Sequence, residues 1–123
     1  MTAYQIVRAA VERDVELEPY ELPAEALIAG DPRPRIWSVT SEDGNGKNVI
    51  SGIFAADPGT IRDPIEAVET IHVLEGHVRI ELDTGDAVEL GVGDIAVLPR
   101  GPVATWTFTE RFKEFFVVSG ADA

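Results

Sequence analysis

The sequence contains no cysteine and only two histidines, and it has no long run of apolar residues. Without cysteine there are neither disulfides nor thiolate ligands for a metal. No stretch approaches the roughly 20 apolar residues that span a bilayer, so we expect no membrane association. Charged side chains at Arg8, Glu12 and Arg13 interrupt the N-terminus before a signal-peptide core can form. We therefore expect a cytoplasmic protein.

Basic side chains are also scarce, with 10 Lys and Arg against 22 Asp and Glu, which gives a formal net charge of −12. Such a surface repels phosphate backbones, so we expect no nucleic-acid partner. Apolar residues make up 45% of the 123 residues, an ordinary value for a globular protein. A chain of this length can bury a substantial core within one domain.

From Val49 onward the sequence has the pattern of an all-β protein, with short runs separated by turns rich in glycine and proline. The alternation is clear at Val78, Ile80 and Leu82, which share one face of a strand. We predict strands at residues 49–56, 67–75, 77–83, 86–92, 95–99, 103–109 and 112–119.

The N-terminal part of the chain is less regular. Residues 23–29 predict one or two helical turns, with Pro23 at the first position and Gly30 just after the end. Residues 35–40 predict a strand, and residues 42–48 (EDGNGKN) predict a hairpin tip in solvent.

Many short strands with regular glycine turns favour a barrel or a two-sheet jelly roll, because both limit exposed edges. We expect a single domain in which residues 49–123 form the barrel. Residues 1–48 then form an extension of extra strands and one short helix, which packs on the barrel or on a partner subunit.

Two motifs in the second half of the chain resemble those of the cupin superfamily, whose motifs flank a hairpin in an RmlC-like jelly-roll barrel. The first motif ends in a glutamate, six residues and a glycine, which Glu69 and Gly76 match. The second begins with a glycine, five residues, a proline, one residue and a glycine, which Gly93, Pro99 and Gly101 match. The resemblance implies an all-β cupin barrel.

The wider layout resembles the small single-domain cupins of the Cupin 3 group, related to the cupin domain of (S)-ureidoglycine aminohydrolases. This resemblance implies a homodimer that pairs through a sheet face, and it suggests a metal-dependent enzyme acting on nitrogen-rich acids. The features that carry it are Gly30-Asp31-Pro32, Gly52-Ile53-Phe54, Pro58-Gly59, Gly101, Trp106, Arg111 and Lys113.

The histidines of the family's metal site are missing. The resemblance implies three histidines and one glutamate as ligands, and only the glutamate, Glu69, is present. The histidine positions are occupied by Asp63 and Ile65 (or Arg62 and Pro64 with a gap one residue longer) and by Ala104.

The two histidines of this chain do not obviously replace the missing ligands. Glu69 and His72 fall on opposite faces of one strand, and His77 follows the hairpin glycine. We expect no cofactor and no tightly bound metal. A weakly bound divalent cation stays open as an alternative, with Glu69, Asp63 and His72 as ligands if a bulge turns His72 inward.

Glu69 is predicted to face an apolar wall formed by one face of the strand at 103–109. A carboxylate in such a cavity gains a proton, finds a cation or meets a hydrogen-bond donor of a ligand. Arg62 and Lys113 are the candidate basic partners of Glu69 inside the barrel. Glu69 and Lys113 are therefore the candidate catalytic residues. The candidate ligand-binding residues are Arg62, Glu69, Ala104, Trp106 and Phe108.

We thus predict a cupin-fold protein that binds a small polar metabolite in its barrel without a tightly bound metal. The sequence leaves open whether the metabolite is converted. Two alternatives are a metal-dependent enzyme resembling ureidoglycine aminohydrolases, and a non-catalytic dimeric scaffold or regulatory subunit.

Overall fold

The computed structural model describes residues 17–38 and 49–119, and most of these residues lie in β-strands. A 3-10 helix at Ala24–Ala26 is the helical element of this part of the chain. The all-β prediction is confirmed. The strands are β1 (Glu18–Pro19), β2 (Leu27–Gly30), β3 (Arg35–Ser38), β4 (Val49–Ala56), β5 (Gly59–Pro64), β6 (Val68–Glu75), β7 (His77–Leu82), β8 (Ala87–Gly91), β9 (Ile95–Leu98), β10 (Val103–Phe108) and β11 (Phe112–Ser119).

The strands form two antiparallel sheets. The first has the order β1-β3-β4-β11-β6-β9 and the second the order β2-β5-β10-β7-β8. Strands that follow one another in sequence, such as β6 and β7, mostly lie in different sheets. The chain therefore winds back and forth between the sheets, which is the topology of the predicted jelly roll.

The core lies between the two sheets and is built from the inward faces of alternating strands. Ile71 and Val73 of β6 and Val78 and Ile80 of β7 are fully buried there. Burial of each such side chain contributes roughly 1.5–3 kcal/mol to stability. The other residues of this core are Ala56, Ile61, Ile65, Leu90, Leu98, Ala104, Phe108, Phe112 and Phe116.

The seven predicted strands agree with β4 and β6 to β11 within a residue or two. The extra strand β5 was missed because its sequence, GTIRDP, lacks the alternation of apolar and polar residues. Pro64 is tolerated there because β2 pairs with β5 only from Gly59 to Ile61, so none of the described strands pairs with the second side of β5 at Pro64.

The helix predicted over residues 23–29 was wrong beyond its first half. The 3-10 helix ends at Ala26, and Leu27–Gly30 then extend as an edge strand beside β5. Pairing with an open sheet edge outweighs the helical tendency of this short segment. The hairpin tip at 42–48, the end of the strand predicted at 35–40 and residues 1–16 of the extension lie outside the described residues.

The described part of the extension is held on the barrel by the pairing of β2 with β5 and of β3 with β4, and by one carboxylate. Asp57, in the turn after β4, accepts hydrogen bonds from Arg33 Nε (2.7 Å) and Arg35 Nη2 (3.2 Å). The backbone N–H of Tyr20 donates to the carbonyl oxygen of Pro34 (2.8 Å). These contacts hold Tyr20 over one end of the barrel. Over the described ranges, no helix is long and apolar enough to cross a bilayer.

The turn between β6 and β7 depends on Gly76, the last residue of the first cupin-like motif. Gly76 has a φ of +83°, in the left-handed region. A Cβ at this position would overlap the backbone carbonyl oxygen of Arg111. The hairpin that joins the two sheets therefore requires a glycine for both its conformation and its close packing.

We expect Gly76→Ala to lower the free energy of unfolding far more than Gly85→Ala. Gly85 also has a positive φ (+101°), but a Cβ there would meet no atom within 4 Å, so this control carries only backbone strain of about 1 kcal/mol. Gly76→Ala adds the overlap with Arg111 and should cost at least about 2 kcal/mol more. Urea unfolding of both variants measures the difference, and equal losses would contradict the close packing.

Candidate ligand-binding site

A cavity of about 140 Å³ lies between the two sheets, beside Tyr20 and Leu22 of the N-terminal extension. Two carboxylates and five aromatic rings dominate its wall. The lining residues are the acids Asp63 and Glu69, the aromatic residues Tyr20, Phe54, Trp106, Phe108 and Phe116, and the aliphatic residues Leu22, Ile36, Ile61, Pro64, Ile65 and Val118.

Strand pairing directs Glu69 into this cavity. Glu69 pairs with Val118 of β11 and Leu98 of β9, and it shares its face of β6 with the fully buried Ile71 and Val73. Asp63 reaches the same cavity from the other sheet, where its cross-strand neighbour in β10 is Ala104. The two acids therefore approach the cavity from opposite sheets.

The aromatic side chains form a connected wall. The ring centroids of Trp106 and Phe108 are 6.4 Å apart, and those of Phe108 and Phe54 are 6.2 Å apart. Tyr20 completes the wall with an edge-on contact to Phe54 at 6.3 Å. Both alternate residues Trp106 and Phe108 face inward, as the pattern of β10 predicts.

The electrostatics of the cavity are set by burial and by repulsion between acids. Burial, and secondly the charge of Asp63, raise the pKa of Glu69 to about 7 from its ordinary 4.5. Burial also raises the pKa of Asp63, with a further contribution from Glu66. The pKa of Tyr20 is raised by burial and by Asp63, Glu69 and Glu66. No Lys, Arg or His is among the described residues that line the cavity.

Glu114 is a buried acid that the sequence analysis did not select. It lies on the same face of β11 as Phe116, and its cross-strand neighbour in β4 is Phe54, so it points between the sheets. The side chain is 2% exposed, and its Oε1 has no hydrogen-bond partner among the described residues. Burial, and secondly the charge of Glu69, raise the pKa of Glu114 well above its ordinary value.

A signal for Glu114 was present in the sequence. Within FKEFFVV, Glu114 occupies the same alternating position as Phe112 and Phe116, which are both buried. A carboxyl at a core position of a strand is costly unless it has a function or a partner. That pattern alone indicates an interior acid.

The structure brings together some of the predicted site residues. Glu69, Trp106 and Phe108 line one cavity with Asp63. Ala104 is fully buried in the core beside Asp63 and does not line the cavity wall.

The predicted basic partners of Glu69 lie elsewhere. Arg62 is exposed and occupies the alternate face of β5 from Asp63. Lys113 is buried, but it occupies the alternate face of β11 from Glu114, with Ala55 of β4 and Glu75 of β6 as its cross-strand neighbours. Sequence reasoning did not fix the inward face of β11, because neither face of this strand is clearly polar.

Both histidines lie away from Glu69. His72 occupies the outward face of β6, between Phe115 of β11 and Ile95 of β9. The β6–β11 pairing does contain an irregularity, but it falls between Lys113 and Glu114, beyond the segment that joins Glu69 to His72. His77 lies at the start of β7, where its Nε2 is 3.1 Å from Glu89 Oε1.

The donor set does not fit a catalytic transition metal. Such a site uses three protein ligands with nitrogen or oxygen donors. Asp63 and Glu69 are the cavity's carboxylates, and no imidazole joins them. Across residues 17–38 and 49–119, no three His, Asp or Glu side chains are arranged to hold a metal ion.

The two-sheet jelly roll, with the glutamate of the first motif inside and a glycine hairpin joining the sheets, defines a cupin. More specifically, the chain belongs to the EutQ-like cupin domain family, whose model matches residues 43–116. No protein of curated function matches the sequence.

Solved structures show the same fold. The EutQ protein of Clostridium difficile superposes with a TM-score of 0.65 at 16% identity, over 74% of this chain and 65% of that one. A protein of unknown function from Pseudomonas syringae pv. tomato gives 0.74 at 21% identity, over 86% of this chain but 45% of that one. A third, from Rhizobium leguminosarum, gives 0.66 at 18% identity, over 97% and 98% of the chains. At these identities the likeness concerns the fold.

We expect Glu69→Gln to stabilise the protein above pH 7. Because the pKa of Glu69 is raised to about 7 by folding, the native state binds more protons than the unfolded state between pH 4.5 and 7. Stability therefore falls as pH rises through this window, and the glutamine removes that loss. The variant should match the parent at pH 4 and exceed it by roughly 2–3 kcal/mol at pH 8.

Chemical denaturation at a series of pH values measures this difference. Glu81→Gln is the matched control, because Glu81 is exposed and the substitution removes the same charge. Its stability relative to the parent should not depend on pH. A Glu69→Gln protein that is less stable than the parent at pH 8 would show that the charged carboxylate has a stabilising partner.

Proposed function

We propose that this cupin-fold protein binds a small polar metabolite in the cavity between its sheets, with Glu69 as the anchor and without a tightly bound metal. The observation that carries the proposal is an inward carboxyl group beside an aromatic wall, in a cavity between the two sheets. Ligand sites are typically apolar cavities with a few convergent polar groups of this kind.

The size of the cavity limits the ligand. A cavity of roughly 150 Å³ holds a molecule such as benzene. The cavity of about 140 Å³ therefore fits a ligand of about six non-hydrogen atoms. A polar group on such a ligand meets Glu69 or Asp63, while its carbon atoms contact Trp106 and Phe108.

The protonation of Glu69 suits it for a further role. With a pKa of about 7, Glu69 exchanges its proton near neutral pH. If the ligand is converted, Glu69 is the candidate general acid or base, since proton transfer is most efficient when the pKa is near the working pH. Lys113, the second candidate catalytic residue, occupies the other face of β11. Burial, and secondly the charge of Asp63, raise the pKa of Glu69 instead.

One alternative is a metal-dependent enzyme resembling ureidoglycine aminohydrolases. The cupin-like motifs support this alternative. Glu69 and Asp63 line the same cavity, and two carboxylates with water molecules could hold a hard cation weakly. The outward position of His72 counts against a transition metal.

A second alternative is a non-catalytic dimeric scaffold. The outward side chains of β9 favour self-association, because Ile95 and Val97 are 65% and 63% exposed on a sheet face. These side chains adjoin Thr70 and His72 of β6. We therefore propose a cytoplasmic homodimer that pairs through this face, and dimerisation is compatible with an occupied cavity.

Elemental analysis of protein purified without chelators tests the metal part of the proposal. We expect Mn, Fe, Ni and Zn each far below one ion per chain, because the cavity supplies only two carboxylates. Near-stoichiometric metal in the parent that is lost in Glu69→Gln and kept in Glu81→Gln would favour the metal-dependent enzyme.

Thermal denaturation in the presence of small polar metabolites tests the binding part. We expect a subset of compounds of about six non-hydrogen atoms to raise the Tm of the parent and of Glu81→Gln. The same compounds should fail to raise the Tm of Glu69→Gln. A Tm shift that is unchanged in Glu69→Gln would mean that Glu69 is not the anchor.

A further inference from the structure

The charge of the cavity has one sign. Asp63 and Glu69 line it from the two sheets, and Tyr20 adds a phenol whose ionisation their negative charges oppose. The described residues of the lining include no basic side chain that would neutralise the acids. An anionic ligand would therefore be repelled, and a neutral ligand would leave Glu69 without a compensating charge whenever Glu69 is ionised.

Glu114 is a further buried acid near Glu69, and it also favours a positively charged group in this part of the barrel. Its carboxyl is buried between the sheets, on the face of β11 that carries Phe116, and its Oε1 has no hydrogen-bond partner in the described part of the chain. A buried carboxyl oxygen without a partner is costly, and such groups in native structures call for an explanation. A positive charge placed nearby favours ionised Glu69 and lowers the repulsion between the acids.

The aromatic wall suits a cation as well. Tyr20, Phe54, Trp106 and Phe108 all line the cavity, and neighbouring centroids are 6.2–6.4 Å apart. A cation within about 6 Å of a ring face is attracted by its negative quadrupole, most strongly over Trp. An inorganic ion gains little from such a wall, whereas an organic cation also buries its carbon atoms there.

We propose that the cavity takes a small organic cation, of the class of protonated amines, with its positive charge between the carboxylates of Asp63 and Glu69 and its carbon atoms against Trp106. This inference rests on the proposed function, because it names the class of ligand for the same cavity. The ammonium N–H groups donate hydrogen bonds to the carboxylate oxygens, and the cavity volume limits the alkyl part to a few carbon atoms.

Binding of the cation is linked to the ionisation of Glu69. Glu69 lies near Asp63 from β5, Glu114 from β11 and Tyr20 from the extension, which are all acids or a phenol. Glu66 adds a further negative charge near Asp63 and Tyr20. A cation lowers the pKa of Glu69 and releases its proton. Affinity for a cation should therefore rise by up to about tenfold per pH unit below pH 7 and level off above it.

Three probes of equal chain length separate the ligand classes by calorimetry: n-butylammonium, 1-butanol and butyrate. At pH 8 we expect n-butylammonium to bind the parent at least about tenfold more tightly than 1-butanol, because a charge-assisted hydrogen bond is roughly twice as strong as a neutral one. Butyrate should not bind. Dissociation constants on the order of micromolar to millimolar suit ligands of this size.

Variants assign the effect to named residues. Glu69→Gln should lower the affinity for n-butylammonium roughly tenfold, because it removes a negative charge from the cavity. It should change the affinity for 1-butanol by no more than about twofold. Trp106→Leu should lower the affinity for n-butylammonium by about twofold to fivefold, because it removes the aromatic ring. Glu81→Gln should change neither. Circular dichroism checks that each variant is folded.

The outcomes separate this inference from the proposed function. Equal affinities for n-butylammonium and 1-butanol would contradict the proposal of a cationic ligand, while the proposed binding of a small polar ligand would stand. Tighter binding of butyrate also overturns the cation and identifies an anion site. Failure of all three probes to bind overturns both the cation and the proposed cavity. Loss of n-butylammonium in Glu81→Gln as well would assign the effect to net charge and overturn the role of Glu69.

Discussion

The chemistry of this protein depends on the alternation of side chains along β6. Because successive residues of a strand point to opposite faces, Glu69 enters the barrel with Ile71, while His72 turns outward with Thr70. A shift of one residue would exchange these faces. Antiparallel pairing with β11 on one side and β9 on the other fixes the register of β6. This register directs the carboxyl of Glu69 into the cavity and the imidazole of His72 away from it.

An acid in a barrel has an energetic consequence when the described lining of its cavity contains no basic side chain. Glu69 is placed among apolar side chains with Asp63 nearby, and its proton is retained to about pH 7. A loss of roughly 2–3 kcal/mol is a large part of the 5–15 kcal/mol that stabilises a typical domain. Natural proteins tolerate such a loss where a group serves binding or catalysis. The perturbed carboxyl group of Glu69 is thus the candidate functional group of the binding site that we propose.

The sequence predicted the architecture better than the interior. Strands with clear alternation, such as β7 and β10, were located within two residues. The predicted site residues Glu69, Trp106 and Phe108 line one cavity in the structure. Strand β5 was missed because its residues do not alternate between apolar and polar, and pairing with β10 and β2 is what makes them extended. Glu114 was missed and Lys113 was chosen because the face of an apolar strand is decided by pairing with β4 and β6, which is a long-range property.

The missing histidines and the acids inside the barrel raise the same question of how the negative charge of Glu69 is compensated. In cupins of the kind this sequence resembles, a metal ion supplies positive charge next to the inward glutamate. Here the glutamate is kept and two further acids, Asp63 and Glu114, are added. The described residues that line the cavity include neither an imidazole nor another basic side chain. Positive charge must then come with the ligand or the acids must stay protonated. The aromatic wall of Trp106 and Phe108 favours the first solution, because it stabilises a cation that carries carbon atoms.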